Sequence, residues 1–172
     1  MELLRRFAEG DLDAFEELFQ QFQKQVYRWI VQIVRDGGIA EDLTVETFWR
    51  IYRARSRFNP ERNFGAWSRR IATNVSLDWL RRVHPEDEIS EPSIAKVLPD
   101  AVAQQDIRAA IVRAFKQLPP KLRVVATLSL IEEEPYESIG EALGIGVATV
   151  KTRRFRAVRL LRKKLKRMGI EP

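Results

Sequence analysis

Apolar residues recur every three or four positions along most of this chain, and no segment convincingly predicts a strand. The clearest stripe follows Asp11, which is placed to cap a helix, and we expect Gly37 and Gly38 to terminate that helix. The apolar positions of the stripe are Phe15, Leu18, Phe19, Phe22, Val26, Trp29, Ile30 and Ile33. This periodicity predicts an all-α fold in which each helix buries one face.

Prolines divide the remaining helical pattern. The dipeptide Asn59-Pro60 disfavours helix and predicts a loop. Pro119-Pro120 stops another apolar stripe, and Pro120 can open the helix that follows. The predicted helices after the first cover approximately residues 39–55, 64–82, 107–118, 120–131, Tyr136–Leu143 and Val147–Arg167.

The segment in the middle of the chain has a different composition. Its sequence, VHPEDEISEPSIAKVLPDAVAQQ, contains three prolines and five acidic residues. Proline-rich and acidic segments of this kind are typical of linkers. We therefore predict two small helical domains, residues 1–83 and 105–172, joined by a linker, residues 84–104.

Composition excludes several classes of function. The chain has no cysteine and a single histidine, His84, which excludes thiolate chemistry and a histidine-rich metal site. The sequence offers no nucleophile–base set and no phosphate-binding loop, so we expect neither catalysis nor a cofactor. No apolar run approaches the roughly 18 residues of a membrane span, and the N-terminus lacks the apolar core of a signal peptide. We expect a cytoplasmic protein without membrane insertion.

The C-terminal helix concentrates the positive charge. Ten Lys or Arg residues lie between Lys151 and Arg167, whereas the whole chain has a net charge of +6, so the remainder is acidic on balance. A short helix, a glycine turn and a basic helix are the sequence form of a helix-turn-helix, whose second helix enters the major groove of DNA. One face of the basic helix would pack on Ile139 and Leu143. The residues expected near bases and phosphates are Ala148, Thr149, Lys151, Thr152, Arg153, Phe155 and Arg156.

Two other interpretations of this helix remain open. One is a solvated amphipathic helix, and the other is a helix lying on a membrane surface, although its apolar face has no interfacial Trp. Arg154 is unexpected because it points into the apolar arc. Either its side chain extends along the apolar surface to reach solvent, or it pairs with Glu137 or Glu141.

Aromatic and basic residues alternate around the predicted loop of the first half. Aromatic rings stack on unpaired bases and guanidinium groups bind the backbone, so this combination is typical of a surface for single-stranded nucleic acid. Helical aromatics are more often core residues, and Phe48 and Trp67 have positions that look mainly structural. The better candidates for base contact, at a helix edge or in the loop, are Trp49, Phe58, Arg62 and Asn63.

Acidic residues precede this zone. Asp42 and Glu46 are four residues apart, and so lie on one helix face. Carboxylates repel DNA but suit a basic protein surface. For Glu41 and Asp42, a favourable interaction with the dipole at a helix N-terminus is an equally good explanation.

Taken together, these segments resemble a bacterial RNA polymerase sigma factor of the sigma-70 family, extracytoplasmic-function (ECF) type. The segments GDLDAFEELFQQFQKQVYRW, AEDLTVETFWRIYRARSRFNP and FGAWSRRIATNVSLDWLRR resemble region 2 of that family. The segment LPPKLRVVATLSLIEEEPYESIGEALGIGVATVKTRRFRAVRLLRKKL resembles region 4. The order, spacing and joint occurrence of these segments make the resemblance specific.

The resemblance implies a role for each group of residues. Region 4 would read the −35 element as duplex through the basic helix, and the polymerase would be contacted at its clamp helices and flap. An anti-sigma factor is a further expected partner. The clamp would be bound by Asp42, Leu43, Glu46 and Phe48. The −10 element would be captured during strand separation by Trp49, Phe58, Arg62, Asn63, Trp67, Arg70 and Asn74.

Two positions depart from the family pattern. Val45 stands where the family commonly has glutamine in DLVQETF, which weakens the transfer of that clamp contact, and Arg154 replaces a usually apolar residue. Two other functions are also considered. An autonomous helix-turn-helix regulator would bind duplex DNA tightly without polymerase, whereas a decoy for a sigma regulator would bind that regulator and leave DNA untouched.

Overall fold

The structure is a computed structural model that describes residues 1–84 and 104–170. All regular structure in these residues is helical, as the periodicity predicts. The chain divides between Trp79 and Leu80 into two compact units, which we call the N-terminal unit and the C-terminal unit. The predicted linker, residues 84–104, falls almost entirely outside the described residues.

The N-terminal unit is built from four α-helices and one short 3₁₀ turn. The long helix α2 begins after Asp11, whose carboxylate accepts a hydrogen bond from the Ala14 amide at 3.0 Å, so the predicted cap is confirmed. α3 packs along α2, and α4 continues past the division between the units. The bounds are α1 Glu2–Glu9, α2 Leu12–Val34, α3 Gly37–Arg53, the 3₁₀ turn Arg55–Arg57 and α4 Phe64–Val83.

The prediction that Gly37 and Gly38 terminate the helix that follows Asp11 is wrong. α2 ends at Val34, and Arg35 adopts a left-handed conformation with a φ of 62°. Asp36 then caps α3 by accepting a hydrogen bond from the Ile39 amide at 3.0 Å. Both glycines therefore lie in the first turn of α3, because the capping carboxylate immediately before them starts a new helix.

Helix α1 was not predicted, although it supplies the centre of the N-terminal core. Phe7 is fully buried, and its ring contacts those of Phe15, Phe58, Phe64 and Trp67 at centroid distances of 5.6 to 6.3 Å. We call this group of rings the aromatic cluster. Its members come from α1, α2, the loop before α4 and α4 itself. The cluster therefore packs this loop against three helices of the unit.

The C-terminal unit is also a helical bundle. Its helices are α5 Gln104–Lys116, α6 Pro120–Ala126, α7 Tyr136–Leu143 and α8 Val147–Arg167. Pro120 opens α6 as predicted, and the bounds of α7 and α8 agree with those expected from the sequence. The helix expected over about 120–131 is not uniform, since residues Thr127–Ile131 form a wider π-helical turn.

Small and aliphatic residues fill the core of this unit. Ala157 and Leu161 of α8 pack with Ala114, Phe115 and Leu118 from α5 and its C-terminal end, and with Ala126 of α6. Alanines at these contacts allow the helix backbones to approach closely. The apolar face of α8 is thus covered by α5 and α6 as well as by α7, and its opposite face is left for solvent or a partner.

Candidate nucleic-acid interface

A tight turn sets the direction in which α8 leaves α7. Gly144 ends α7 in the left-handed conformation, with a φ of 65°, and the Ile145 amide donates to the Gly140 carbonyl at 2.9 Å. A Cβ added to Gly140 would lie 2.7 Å from the Ile145 carbonyl oxygen, which is closer than a side chain tolerates. Glycine at this position therefore permits the close turn of a helix-turn-helix.

Arg154 lies at the edge of the buried face of α8. Its side chain is half-buried, and within the described residues it forms no ion pair with Glu137 or Glu141. Of the two interpretations of this residue, the structure favours the one in which the aliphatic part covers apolar surface while the guanidinium reaches water.

The outward face of α8 presents the residues expected to meet DNA. Six of the seven are exposed, and Arg153 is half-buried. Phe155 stands out because 68% of its surface is accessible although it is aromatic. The Thr152 hydroxyl donates to the Ala148 carbonyl at 3.0 Å, which leaves its oxygen free to accept. The exposed six are Ala148, Thr149, Lys151, Thr152, Phe155 and Arg156.

The cations of α8 also affect one another. Lys164 donates to the Gln117 side chain at 3.1 Å, and its pKa is lowered, chiefly by partial burial and then by the nearby charges of Arg167 and Lys163. No acidic residue lies in α8 to relieve this repulsion. A polyanion bound along the helix would do so, because each phosphate neutralised by Lys or Arg also releases a condensed counterion.

The loop before α4 differs from its expected role in one respect. We expected Phe58 to present its ring for base contact, but only 5% of its surface is exposed and its ring lies 4.7 Å from that of Trp67. In this conformation the loop folds its one ring into the aromatic cluster, and the base contact of Phe58 stays a prediction. Arg62 is exposed. The side-chain oxygen of Asn63 caps α4 by accepting a hydrogen bond from the Ala66 amide at 2.9 Å.

The three residues proposed on α4 remain accessible beside this loop. Trp67 is half-buried, with one part of its ring in the aromatic cluster, while Arg70 and Asn74 are exposed. The ring of Trp67 is therefore held in place by packing and still reaches the surface. A rigid ring next to polar and cationic groups is the arrangement that stacking on a single strand requires.

Helix α3 leaves its two acidic candidates accessible and buries its two apolar candidates. Asp42 is exposed and Glu46 is half-buried, but Leu43 and Phe48 are both core residues. Leu43 and Phe48 therefore expose little surface in this conformation, and their contact with a partner stays a prediction. Trp49 is 56% exposed and stacks on no other ring in the described part of the chain.

The structure has a basic groove beside α3 that the sequence did not predict. It is open, with a volume of about 430 Å³, and is lined by Glu46, Arg50, Arg53, Ala54 and Arg57. Arg50 donates to Glu46 at 2.7 Å and to Asp78 of α4 at 2.9 Å. The i,i+4 spacing of Glu46 and Arg50 signals the first pair in the sequence, but nothing local signals Asp78, which is 28 residues away.

The described residues contain no group of three or more His, Cys, Asp or Glu side chains that could hold a metal ion. None of the helices in the described ranges is long and apolar enough to cross a membrane.

Comparison with protein-family models identifies two matching regions. Residues 18–84 match sigma-70 region 2, and residues 108–161 match sigma-70 region 4. Among individual proteins, the chain is similar to the RNA polymerase sigma factor CarQ of Myxococcus xanthus, with 32% identity over 172 residues that cover 98% of each chain. It is equally similar to the ECF RNA polymerase sigma factor SigW of Bacillus subtilis, with 32% identity over 95% of each chain.

Solved structures show the same fold. The structure of CnrH in complex with the cytosolic domain of CnrY matches with a TM-score of 0.65, at 23% identity over 95% of each chain. The sigma factor RpoE of Bartonella quintana, in complex with the anti-sigma factor NepR, matches with a TM-score of 0.62 at 21% identity, over 88% of this chain and 96% of that one. The chain belongs to the ECF type of the sigma-70 family, the non-catalytic sigma factors that direct RNA polymerase to promoters through regions 2 and 4.

Proposed function

We propose that the two units divide promoter recognition between them, with the N-terminal unit holding the −10 element as a separated strand and α8 reading the −35 element as duplex. The observation that carries this proposal is the placement of the two candidate surfaces. α8 presents six accessible candidate residues and contains no acidic residue. α4 presents Arg70 and Asn74 beside the ring of Trp67, which the aromatic cluster holds in place. The proposed limits of the two domains are residues 1–83 and 105–172.

The residues of α8 have distinct proposed tasks. The short side chains of Ala148 and Thr149 at the start of the helix permit close approach to the floor of the major groove, where each base pair presents its own pattern of donors and acceptors. Arg153 and Arg156 supply the bidentate donors suited to guanine, and Phe155 supplies an apolar contact for a thymine methyl group. Lys151 and the later cations bind phosphates and fix the register.

The residues around α4 have a different proposed task. Trp67 and Trp49 offer ring faces to unstacked bases, Asn74 offers hydrogen bonds to a base edge, and Arg62 and Arg70 bind the backbone. Asn63 acts mainly through the helix start that it caps. Holding bases outside the duplex offsets the cost of unpairing them, which amounts to a few kcal/mol for a flipped base.

The proposed polymerase surface lies on α3. Asp42 and Glu46 offer carboxylates to a basic partner, and Leu43 and Phe48 keep the helix in position from beneath. Polymerase supplies catalysis and additional binding area, so the two modules act on one promoter at the same time and increase each other's effective concentration.

We further propose a cytoplasmic location and regulation by an anti-sigma factor. Polymerase and chromosomal DNA occupy that compartment, and two structural neighbours, CnrH and RpoE, were solved in complex with CnrY and NepR. The similarity to these neighbours establishes the fold, and the partner of this chain is inferred from it.

Reconstituted transcription over a promoter library tests the proposed function. The chain and core polymerase together should produce transcripts from a subset of sequences that share two elements, and neither component alone should do so. Tight binding to a palindromic duplex without polymerase would instead favour an autonomous regulator. A chain that binds neither polymerase nor DNA, while binding a sigma regulator, would favour the decoy.

A further inference from the structure

Arg50 lies between two surfaces of the N-terminal unit that have different proposed partners. Its Nε donates to Glu46 Oε1 at 2.7 Å, and its Nη1 donates to Asp78 Oδ2 at 2.9 Å. Glu46 belongs to the proposed polymerase surface on α3. Asp78 follows Trp67 and Asn74 at helical spacing on α4, on the face proposed for the separated strand.

Stability alone does not explain why two carboxylates share this guanidinium. Between 38 and 45% of each of the three side chains is exposed, and ion pairs with this exposure contribute little to folding. The pKa of Arg50 is raised by Asp78 first and by Glu46 second, so the cation is retained. Within the described residues, Asp78 forms no other ion pair.

The charge of Asp78 is a problem for the proposed face. A phosphate backbone that approaches Trp67 and Asn74 also approaches this carboxylate, and like charges at short range repel each other strongly where solvent is partly excluded. The guanidinium of Arg50 is placed to cancel that repulsion, and its second hydrogen bond, to Glu46, fixes its orientation.

We propose that Arg50 is a positioning residue for strand capture, which compensates Asp78 so that the phosphate backbone can approach α4, while Glu46 holds the guanidinium in place. The inference rests on the proposed function, because it requires a strand on α4. It predicts that the effect of Arg50 on strand binding acts through Asp78, and that the effect diminishes as salt screens the charges.

Two double variants of equal net charge separate this idea from a general charge effect. The probe is a single-stranded oligonucleotide carrying the non-template −10 sequence of a promoter selected by the wild-type holoenzyme, and its binding to assembled holoenzyme is followed by fluorescence anisotropy. Arg50→Ala should weaken binding about three- to tenfold at low salt. Adding Asp78→Asn should restore binding to within about twofold of wild type, because the coupled charge is removed. Adding Glu46→Gln instead should leave binding weak, since Asp78 stays uncompensated.

Asp78→Asn alone provides a test that keeps Arg50. This variant should bind the strand at least as tightly as wild type, because the freed guanidinium then attracts phosphate. Tryptophan fluorescence during thermal unfolding checks that each variant is folded.

Equal weakness of Arg50→Ala and Arg50→Ala/Asp78→Asn would overturn the inference. So would equal recovery by both double variants, or weaker binding by Asp78→Asn alone. A wild-type holoenzyme that does not prefer the selected strand to a scrambled one would instead refute the proposed function, before any Arg50 variant is compared.

Discussion

The two units distribute their aromatic residues in opposite ways. In the N-terminal unit the rings gather around the core, with Phe7 and Phe58 buried and Trp67 half-buried, and Trp49 is exposed. In the C-terminal unit the core consists largely of alanine and aliphatic side chains, and the one ring of α8, Phe155, points outward among cations.

This difference matches the difference between the two proposed ligands. Unstacked bases have no fixed scaffold of their own, so a protein that holds them needs a rigid surface, and an interlocked aromatic cluster provides one. Duplex DNA is already rigid and densely charged, so a single well-packed helix with many cations is sufficient to bind it. The N-terminal unit thus depends on its core for shape, whereas α8 depends on its surface for charge.

Removing the centre of the aromatic cluster should have the largest effect, because the N-terminal unit depends on this core for its shape. Phe7→Ala should destabilise the N-terminal unit by about 3–5 kcal/mol, because a large side chain leaves a cavity among fixed rings. All four Trp residues lie between Trp29 and Trp79, so tryptophan fluorescence reports on this unit. Urea unfolding followed by that signal measures the effect.

Leu12→Ala is the matched control for Phe7→Ala. Leu12 is 64% exposed, and a truncation there should change stability by less than about 0.5 kcal/mol. Similar losses from the two substitutions would contradict a central role for the aromatic cluster.

Truncating a cation that faces the bases tests the other half of this comparison, the dependence of α8 on its surface charge. Arg153→Ala or Arg156→Ala should weaken binding to the matched −35 duplex by about 1–3 kcal/mol and relax its sequence preference. Stability should change little for Arg156, because its side chain is exposed. Holoenzyme binding to matched and mismatched duplexes measures both effects.

Arg162→Ala is the corresponding control, since Arg162 is exposed two turns further along α8. If it binds phosphate, its loss should weaken both duplexes alike and reduce the salt slope by about 0.9. Unchanged affinity for the matched duplex in both Arg153→Ala and Arg156→Ala would show that another face of α8 contacts the bases.

The turn that directs α8 can be disturbed without removing any charge. Gly140→Ala places a Cβ 2.7 Å from the Ile145 carbonyl oxygen, and the forced shift should cost about 1–3 kcal/mol. The gain in helix propensity, about 1 kcal/mol, offsets part of this, so a net loss is expected. Far-ultraviolet circular dichroism should detect it while the tryptophan signal is unchanged.

Gly146→Ala is its control, because no atom lies within 4 Å of the added Cβ. Gly146 is the N-cap residue of α8, where alanine is less favourable than glycine, so only the capping loss of up to about 1 kcal/mol is expected there. Equal stability of Gly140→Ala and the wild type would contradict the close turn.

Asp11→Ala should give the smallest effect. The Ala14 amide first, and Arg6 second, hold the pKa of Asp11 below its usual value of 3.8. The folded state therefore binds fewer protons than the unfolded state, and the stabilisation is present above that usual value and lost as the pH falls through the lowered one. Thermal unfolding should distinguish the variant from the wild type near neutral pH and not in strong acid.

Asp13→Ala serves as the comparison for Asp11→Ala, since Asp13 is exposed in the same first turn and does not cap the helix. A difference between Asp11→Ala and the wild type that persists unchanged in acid would show that the carboxylate charge is not involved.

Local sequence signals predicted most of the helices. α7 and α8 are bounded as expected because the proline before one and the glycines before the other act on their immediate neighbours. α2 was predicted to extend too far because Asp36 was not recognised as a cap. The available sequence signal for α1 was the short apolar stripe of Leu3, Leu4 and Phe7 followed by Gly10. In the structure Gly10 ends α1 in the left-handed conformation.

The candidate site could be predicted only where it depends on one helix. The exposure of six of the seven candidates on α8 follows from the amphipathic pattern of that single helix, whereas Arg153 is half-buried. Phe58 and Arg50 were beyond such reasoning. Burial of Phe58 depends on α1 and α4 closing around the loop, and the partner of Arg50 on α4 is brought near only by the fold.

Permanganate footprinting of a selected promoter tests the central claim most directly, because permanganate oxidises thymines that are unstacked. With the chain and core polymerase both present, we predict reactive thymines across the −10 element and protection without reactivity at the −35 element. Omission of either component should abolish the reactivity. A transcriptionally active complex whose −10 thymines stay unreactive, or whose −35 thymines become reactive, would contradict the division of recognition between the two units.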